Sequence, residues 1–96
     1  YGFLLQEKEN GLMEKSILLV LVGNRRESAV EVQKVLTETG CFIKTRLGLH
    51  DGSPDQCTNT GLIVLELVGK TEDKKSVHDK LKNIPNVTVQ LVELSV

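Results

Sequence analysis

The chain has 96 residues, 40% of them hydrophobic and 26% charged, which is enough to bury one core and far from the composition of disorder. Twelve Lys+Arg against thirteen Asp+Glu give a net charge of -1, with no block of five or six like charges, so the balance nominates neither nucleic acid nor an anionic membrane surface. The longest apolar run, Ile17 to Val22, is far shorter than the roughly 20 residues a spanning helix needs.

Met13 is the only methionine and directly precedes the first strongly patterned segment. It is read as the native start, with residues 1–12 an N-terminal extension and residues 13–96 the folded domain. Without the extension eleven basic and eleven acidic residues remain, and Phe42 is the one aromatic side chain. Nothing in the extension has the basic and apolar regions of a signal peptide, so the cytoplasm is the expected compartment, and Cys41 and Cys57 are expected as thiols.

Ile17 to Val22 reads as a central strand buried on both faces, closed by Gly23. Asn24 is placed to cap the next helix, with Glu27 three residues on completing a capping-box-like pair. Within residues 26–39, Ala29, Val32, Val35 and Leu36 recur at helical spacing, and Gly40 is expected to end the helix. Residues 41–49 alternate, with Cys41, Ile43, Thr45, Leu47 and Leu49 on one face, which predicts an edge strand. Residues 50–60, rich in Gly, Pro, Ser, Asp and Asn, read as a long connection. A second apolar run, Leu62 to Val68, predicts another central strand. Thr71 is expected to cap a helix with Val77, Leu81 and Ile84 on its buried stripe, stopped by Pro85. Residues 87–96 form the last strand, with Val87, Val89 and Leu91 alternating against Thr88 and Gln90.

The halves repeat at an offset of 46, which superposes Val22-Gly23 on Val68-Gly69, Val35 on Leu81, and Cys41 on Val87. A tandem βαβ unit of this kind predicts an α+β, ferredoxin-like βαββαβ sandwich, with an antiparallel sheet in the order 4-1-3-2 and both helices on one face. The helices cover only one face, yet the two central strands are apolar on both. Self-association through the uncovered face follows as the simplest remedy, with Leu18, Val20, Val64 and Arg46 taken as its contacts in a homodimer or larger oligomer.

RNA-recognition modules of this architecture stack bases on central-strand aromatics, which are missing here, and the first strand-to-helix turn carries Gly23-Asn24-Arg25-Arg26 rather than a metal-binding C-x-x-C. Arg25 or Arg26 beside a helix N-terminus can hold an anion; solvated arginines are the plainer reading. His50, Asp51 and Cys57 could gather around one metal ion, but the spacing matches no structural zinc pattern; a loop histidine, a buried strand thiol at Cys41 and an exposed loop thiol at Cys57 are preferred. His78 reads as a boundary residue, and Glu66 as a solvent-facing carboxylate or a partner for Lys44 or Arg46 across the sheet. No sequence-local base accompanies either cysteine, so the chain is not read as an enzyme.

Three segments carry a family resemblance: Arg26-Glu27-Ser28-Ala29-Val30, the strand Ile43-Lys-Thr-Arg-Leu-Gly-Leu49 with its R-x-G-hydrophobic element, and Leu81-Lys-Asn-Ile-Pro-Asn-Val87. Over residues 16–94 the chain resembles ACT-like domains and, among them, the small regulators of the iron-only hydrogenase system. It departs where His50 stands in place of the proline that follows that element in the family. The resemblance implies a non-catalytic, oligomeric regulator without a cofactor, whose small effector binds near the first strand-to-helix turn at a subunit interface, where Gly23, Asn24 and Arg25 stand; the N–H groups of Asn24, Arg25 and Arg26 at the helix N-terminus lead us to expect that effector to be an anion. A metal-sensing module related to nickel-responsive regulators and a small anion-binding enzyme using Arg25 are the alternatives.

Overall fold

A computed structural model describes residues 13–50 and 60–96. Residues 1–12 and the stretch 51–59, with Asp51 and Cys57, lie outside the described residues. The elements run β1 (Glu14–Val22), α1 (Arg25–Glu38), a 3-10 turn (Gly40–Phe42), β2 (Ile43–His50), β3 (Gly61–Leu67), α2 (Thr71–Lys82) and β4 (Val87–Ser95). One antiparallel sheet has the order β2-β3-β1-β4, the expected order read from the other edge.

Register decides which half of each apolar strand meets the helices. Leu18 pairs with Leu65 and Leu91, and Val20 with Ile63 and Val89, so these residues share a face. Leu18, Val20 and Leu65 are fully buried there against Val32, Val77 and Leu81 of the helices. The expectation that Leu18 and Val20 form the outer contact surface is therefore corrected, because they are the centre of the core. Arg46 also lies on the helix-facing side, opposite Leu65, with Nη2 donating to Gln33 Oε1 of α1 at 2.8 Å. Val64 does face outward, in a row with Leu19 and Leu47. The open face thus carries Ile17, Leu19, Leu21, Leu47, Leu62, Val64, Val92 and Leu94, with Leu21 44% and Leu47 54% exposed, together with the polar Lys15, Thr45, Glu66, Thr88 and Gln90.

A β-bulge explains why strict alternation fails along β2. Ile43 pairs with Leu67 but Thr45 with Glu66, so Lys44 is an extra residue and the strand changes parity. Ile43 then packs on the core while Thr45 and Leu47 face out. Cys41, expected as a buried strand thiol, is exposed in the turn before β2.

The helix ends also differ from the sequence reading. The Asn24 side chain does not cap α1; its Nδ2 donates to Glu27 Oε1 at 2.7 Å. Helix α1 ends at Thr39, whose buried hydroxyl donates back to the Val35 carbonyl at 2.8 Å, and Gly40 opens the 3-10 turn. Thr71 is the first residue of α2, and the cap is Lys70, whose N–H donates to Asp73 Oδ2 at 3.0 Å. Ser16 is the polar member of the helix-facing row on β1, 2% exposed. Its hydroxyl accepts from Lys74 Nζ at 2.8 Å and donates to Glu93 Oε2 at 3.3 Å, which satisfies all three groups.

Glu66 pairs with Lys15 rather than with Arg46: Lys15 Nζ donates to Glu66 Oε2 at 3.1 Å. That ammonium, helped by the charge of Lys44, holds the Glu66 carboxyl below its usual range against the opposing effect of desolvation. Asp79 is lowered likewise, first by its contact with His78 Nδ1 at 2.8 Å and then by Lys75. Depressed folded-state values mean stabilisation that is present above the unfolded-state carboxylate range, near pH 4, and lost as pH falls through the folded values. The urea midpoint is therefore expected to drop between pH 5 and pH 3. Lys15→Met should make that drop smaller, and equal pH profiles for the two proteins would remove Lys15 as its cause.

Candidate functional site

Helix α1 crosses the β2–β3 half of the sheet and leaves a cavity of about 220 Å³ beneath it. Its wall is one helical stripe, Arg25, Ala29, Val32 and Gln33. Its floor is the helix-facing side of the sheet: Val22 on β1, Gly48 on β2, and Gly61 and Ile63 on β3, with Leu62 beside them. Two of these floor positions are glycines. A Cβ built on Gly48 meets nothing within 4 Å, so that position opens into free space.

Among the described residues the lining is apolar except for the guanidinium of Arg25 and the carboxamide of Gln33, and none of them is acidic. Arg25 stands at the first position of α1, beside the helix N-terminus. Because α1 rises about 1.5 Å per residue, Gln33 lies about 12 Å further along. Arg46 reaches Gln33 from β2, so the R-x-G element supplies both the residue that steadies Gln33 and the glycine that opens the floor.

Of the four expected ligand residues the structure brings Arg25 alone into the lining. Gly23 instead anchors the turn: its N–H donates to the Asn86 carbonyl at 2.6 Å, and a Cβ there would stand 3.3 Å from the same oxygen. The Ser28 hydroxyl donates to the Pro85 carbonyl at 2.9 Å, so the start of α1 is fastened to the α2–β4 connection at two points. Asn24 is occupied with Glu27, and Arg26 is exposed. Gln33, Gly48 and Gly61 escaped the sequence reading. Gly48 carried the one usable signal, a side-chain-free position on the same strand face as Arg46. Among the described residues no three His, Cys, Asp or Glu side chains are grouped as a metal site, and no helix is long and apolar enough to cross a membrane.

The same α+β fold occurs in solved structures. An uncharacterized protein from Thermotoga maritima superposes with a TM-score of 0.71 at 24% identity, over 84% of this chain and 98% of that one. The ACT domain of the GTP pyrophosphokinase from Chlorobium tepidum gives a TM-score of 0.59 at 18% identity, over 84% and 99%. A nitrogen regulatory PII-like protein from Thiomonas intermedia, solved with ADP, AMP and bicarbonate, gives 0.59 at 11% identity, over 88% and 92%. No family model and no curated protein matches the chain.

Proposed function

We propose that this chain is a non-catalytic, self-associating regulatory domain that senses a small anionic ligand in the cavity beneath α1. The carrying observation is the coincidence of an apolar cavity with one cationic side chain, Arg25, among its described lining residues, beside the N-terminus of a helix, where an anion is favoured. Support for a regulatory rather than catalytic role comes from the fold shared with ACT and PII-like domains and from described lining residues that include no general base or nucleophile. The R-x-G strand and the other segments that resemble regulators of the iron-only hydrogenase system suggest that pathway. The open sheet face supports self-association, because no helix covers its apolar residues and Leu21 and Leu47 stand exposed there.

The test uses the cavity's own geometry. A thermal-shift screen with inorganic phosphate, AMP and 3-methylbutanoate should find at least one anion that raises the melting temperature of the wild type. Gly48→Val projects into the cavity from its floor, where a Cβ meets nothing within 4 Å, and a β-branched residue suits a strand, so its far-UV circular dichroism should be unchanged. The shift should disappear in Gly48→Val and weaken in Arg25→Ala. An anion whose stabilisation survives Gly48→Val binds elsewhere and overturns this site.

A further inference from the structure

The outer edge of a sheet presents a row of backbone N–H and C=O groups, and proteins ordinarily blunt such edges with bulges, charges or proline. The two edges of this sheet differ in that respect. Strand β2 has the bulge at Lys44 and two cations, Lys44 and Arg46. Strand β4 pairs with β1 over nine residues without a register shift, holds no proline or glycine, and carries Glu93 as its single charge. No strand lies beyond it among the described residues.

The two ends of β4 fix which of its backbone groups face outward. The Val96 N–H donates to the Met13 carbonyl at 3.0 Å, and the Asn86 carbonyl accepts from the Gly23 N–H at 2.6 Å. Bonded pairs alternate along an antiparallel ladder, so the even-numbered residues serve β1, and Val89, Leu91, Glu93 and Ser95 turn their N–H and C=O groups to the open edge. Their side chains stand on the helix side, where Val89 and Leu91 pack on the core.

Charge complementarity selects the strand that fits this edge. Ser16 bonds both Lys74 of α2 and Glu93 of β4, which sets those two residues level. From there α2 and β4 run in opposite directions; eight helical residues cover about 12 Å and four strand residues about 13 Å, so Lys82 stands level with Val89. Lys82 and Glu93 are both exposed and line one groove beside β4. A second β4, related by a two-fold axis through Leu91 and normal to the sheet, pairs antiparallel over its whole length and sets its Glu93 opposite Val89, within reach of Lys82. The symmetry makes that ion pair twice.

We infer that the edge of β4 is a contact between two copies of this chain, joined through Val89, Leu91 and Glu93 with Lys82 of each copy against Glu93 of the other. This goes beyond the face pairing proposed above: the contact lies at the rim of the sheet and leaves the open face clear, so face-paired copies are linked into a larger assembly. One strand edge buries less than the roughly 800 Å² per partner of a standard interface, so the contact is weak.

Val64→Lys, which removes the face contact, isolates the edge. In sedimentation equilibrium the 96-residue chain with that substitution should be a monomer at micromolar concentration and a dimer toward about 1 mM, the range of a weak contact. Adding Lys82→Glu or Glu93→Lys alone should weaken that dimer by about 10-fold or more, because like charges then face each other, and adding both should restore it. Glu93→Pro removes an outward N–H at a position where an edge strand accepts proline, and should abolish the dimer. The inference is overturned if the Val64→Lys chain stays monomeric at about 1 mM, including the case in which residues 1–12 cover the edge. It is overturned as well if the dimer survives Glu93→Pro, or if the two charge reversals do not rescue each other. None of these outcomes touches the open-face assembly, which the wild type decides at micromolar concentration.

Discussion

Val20→Lys is expected to abolish folding, whereas Val64→Lys should leave the fold intact and separate the subunits. The two valines sit on adjacent central strands and are indistinguishable by composition; register alone divides them. Val20 is 0% exposed and packed in the core, so a lysine there must bury an ammonium or tear the sheet from its helices. A penalty of about 5 kcal/mol takes most of the stability that a domain of this size has. Val64 faces the other way, between Leu19 and Leu47, at the centre of the open face. A lysine there extends into water in a monomer but would place like charges together where two copies meet. Sedimentation at micromolar concentration should show a dimer or larger for the wild type and a monomer for Val64→Lys, with the same far-UV circular dichroism. A wild type that sediments as a clean monomer would refute the assembly, and a folded Val20→Lys would refute the assignment of faces.

That contrast marks where sequence reading stopped. Both central strands were legible because six apolar residues, unbroken in Ile17 to Val22 and broken only by Glu66 in Leu62 to Val68, closed by glycine, leave little else for the chain to do. The strand order followed from the internal repeat and from right-handed crossovers. Which parity of an all-apolar strand faces the helices is not written in that strand. It is set by the partners, and Leu18 and Leu19 are interchangeable until the register with Leu65 and Val64 is known. The bulge at Lys44 was hidden for a related reason: alternation on either side of it looks continuous, and only the pairing with Leu67 and Glu66 exposes the extra residue.

The site was legible in part for equally physical reasons. A helix N-terminus with an arginine is a local feature, so Arg25 was found. A cavity is a property of facing surfaces. It requires Gly48 of one strand, Gly61 of the next and the Ala29–Gln33 stripe of a helix to meet, and no local spacing connects them. Gly23 was read as a ligand position because it closes a strand, but its backbone serves the turn through Asn86. Asn86 itself has φ 64°, a conformation asparagine tolerates better than most residues, which is what lets the α2–β4 connection fold back to that contact.

Gly69 is the position where a methyl group should cost most. The repeat equates it with Gly23, yet the two turns differ: Gly69 has φ +110° and Gly23 does not adopt a left-handed conformation. An L-residue is strained by about 1–3 kcal/mol in that region. A Cβ there would also stand 3.1 Å from Asp73 Oδ2 and 3.3 Å from Phe42 Cδ1. Asp73 Oδ2 is the acceptor that caps α2 through the Lys70 N–H, and displacing it removes a cap whose loss costs about 1 kcal/mol. Phe42 is packed against the core and cannot retreat freely. Gly69→Ala should therefore lose about 2–4 kcal/mol, which at roughly 4–8 °C per kcal/mol for a domain of this size lowers the melting temperature by about 8–30 °C. Gly40→Ala is the matched control. Its Cβ meets nothing within 4 Å and its φ lies outside the left-handed region, so it should be neutral or slightly stabilising through the unfolded chain. Thermal melts of the two variants side by side decide the matter: equal melting temperatures would mean that the turn at Gly69 imposes no backbone constraint.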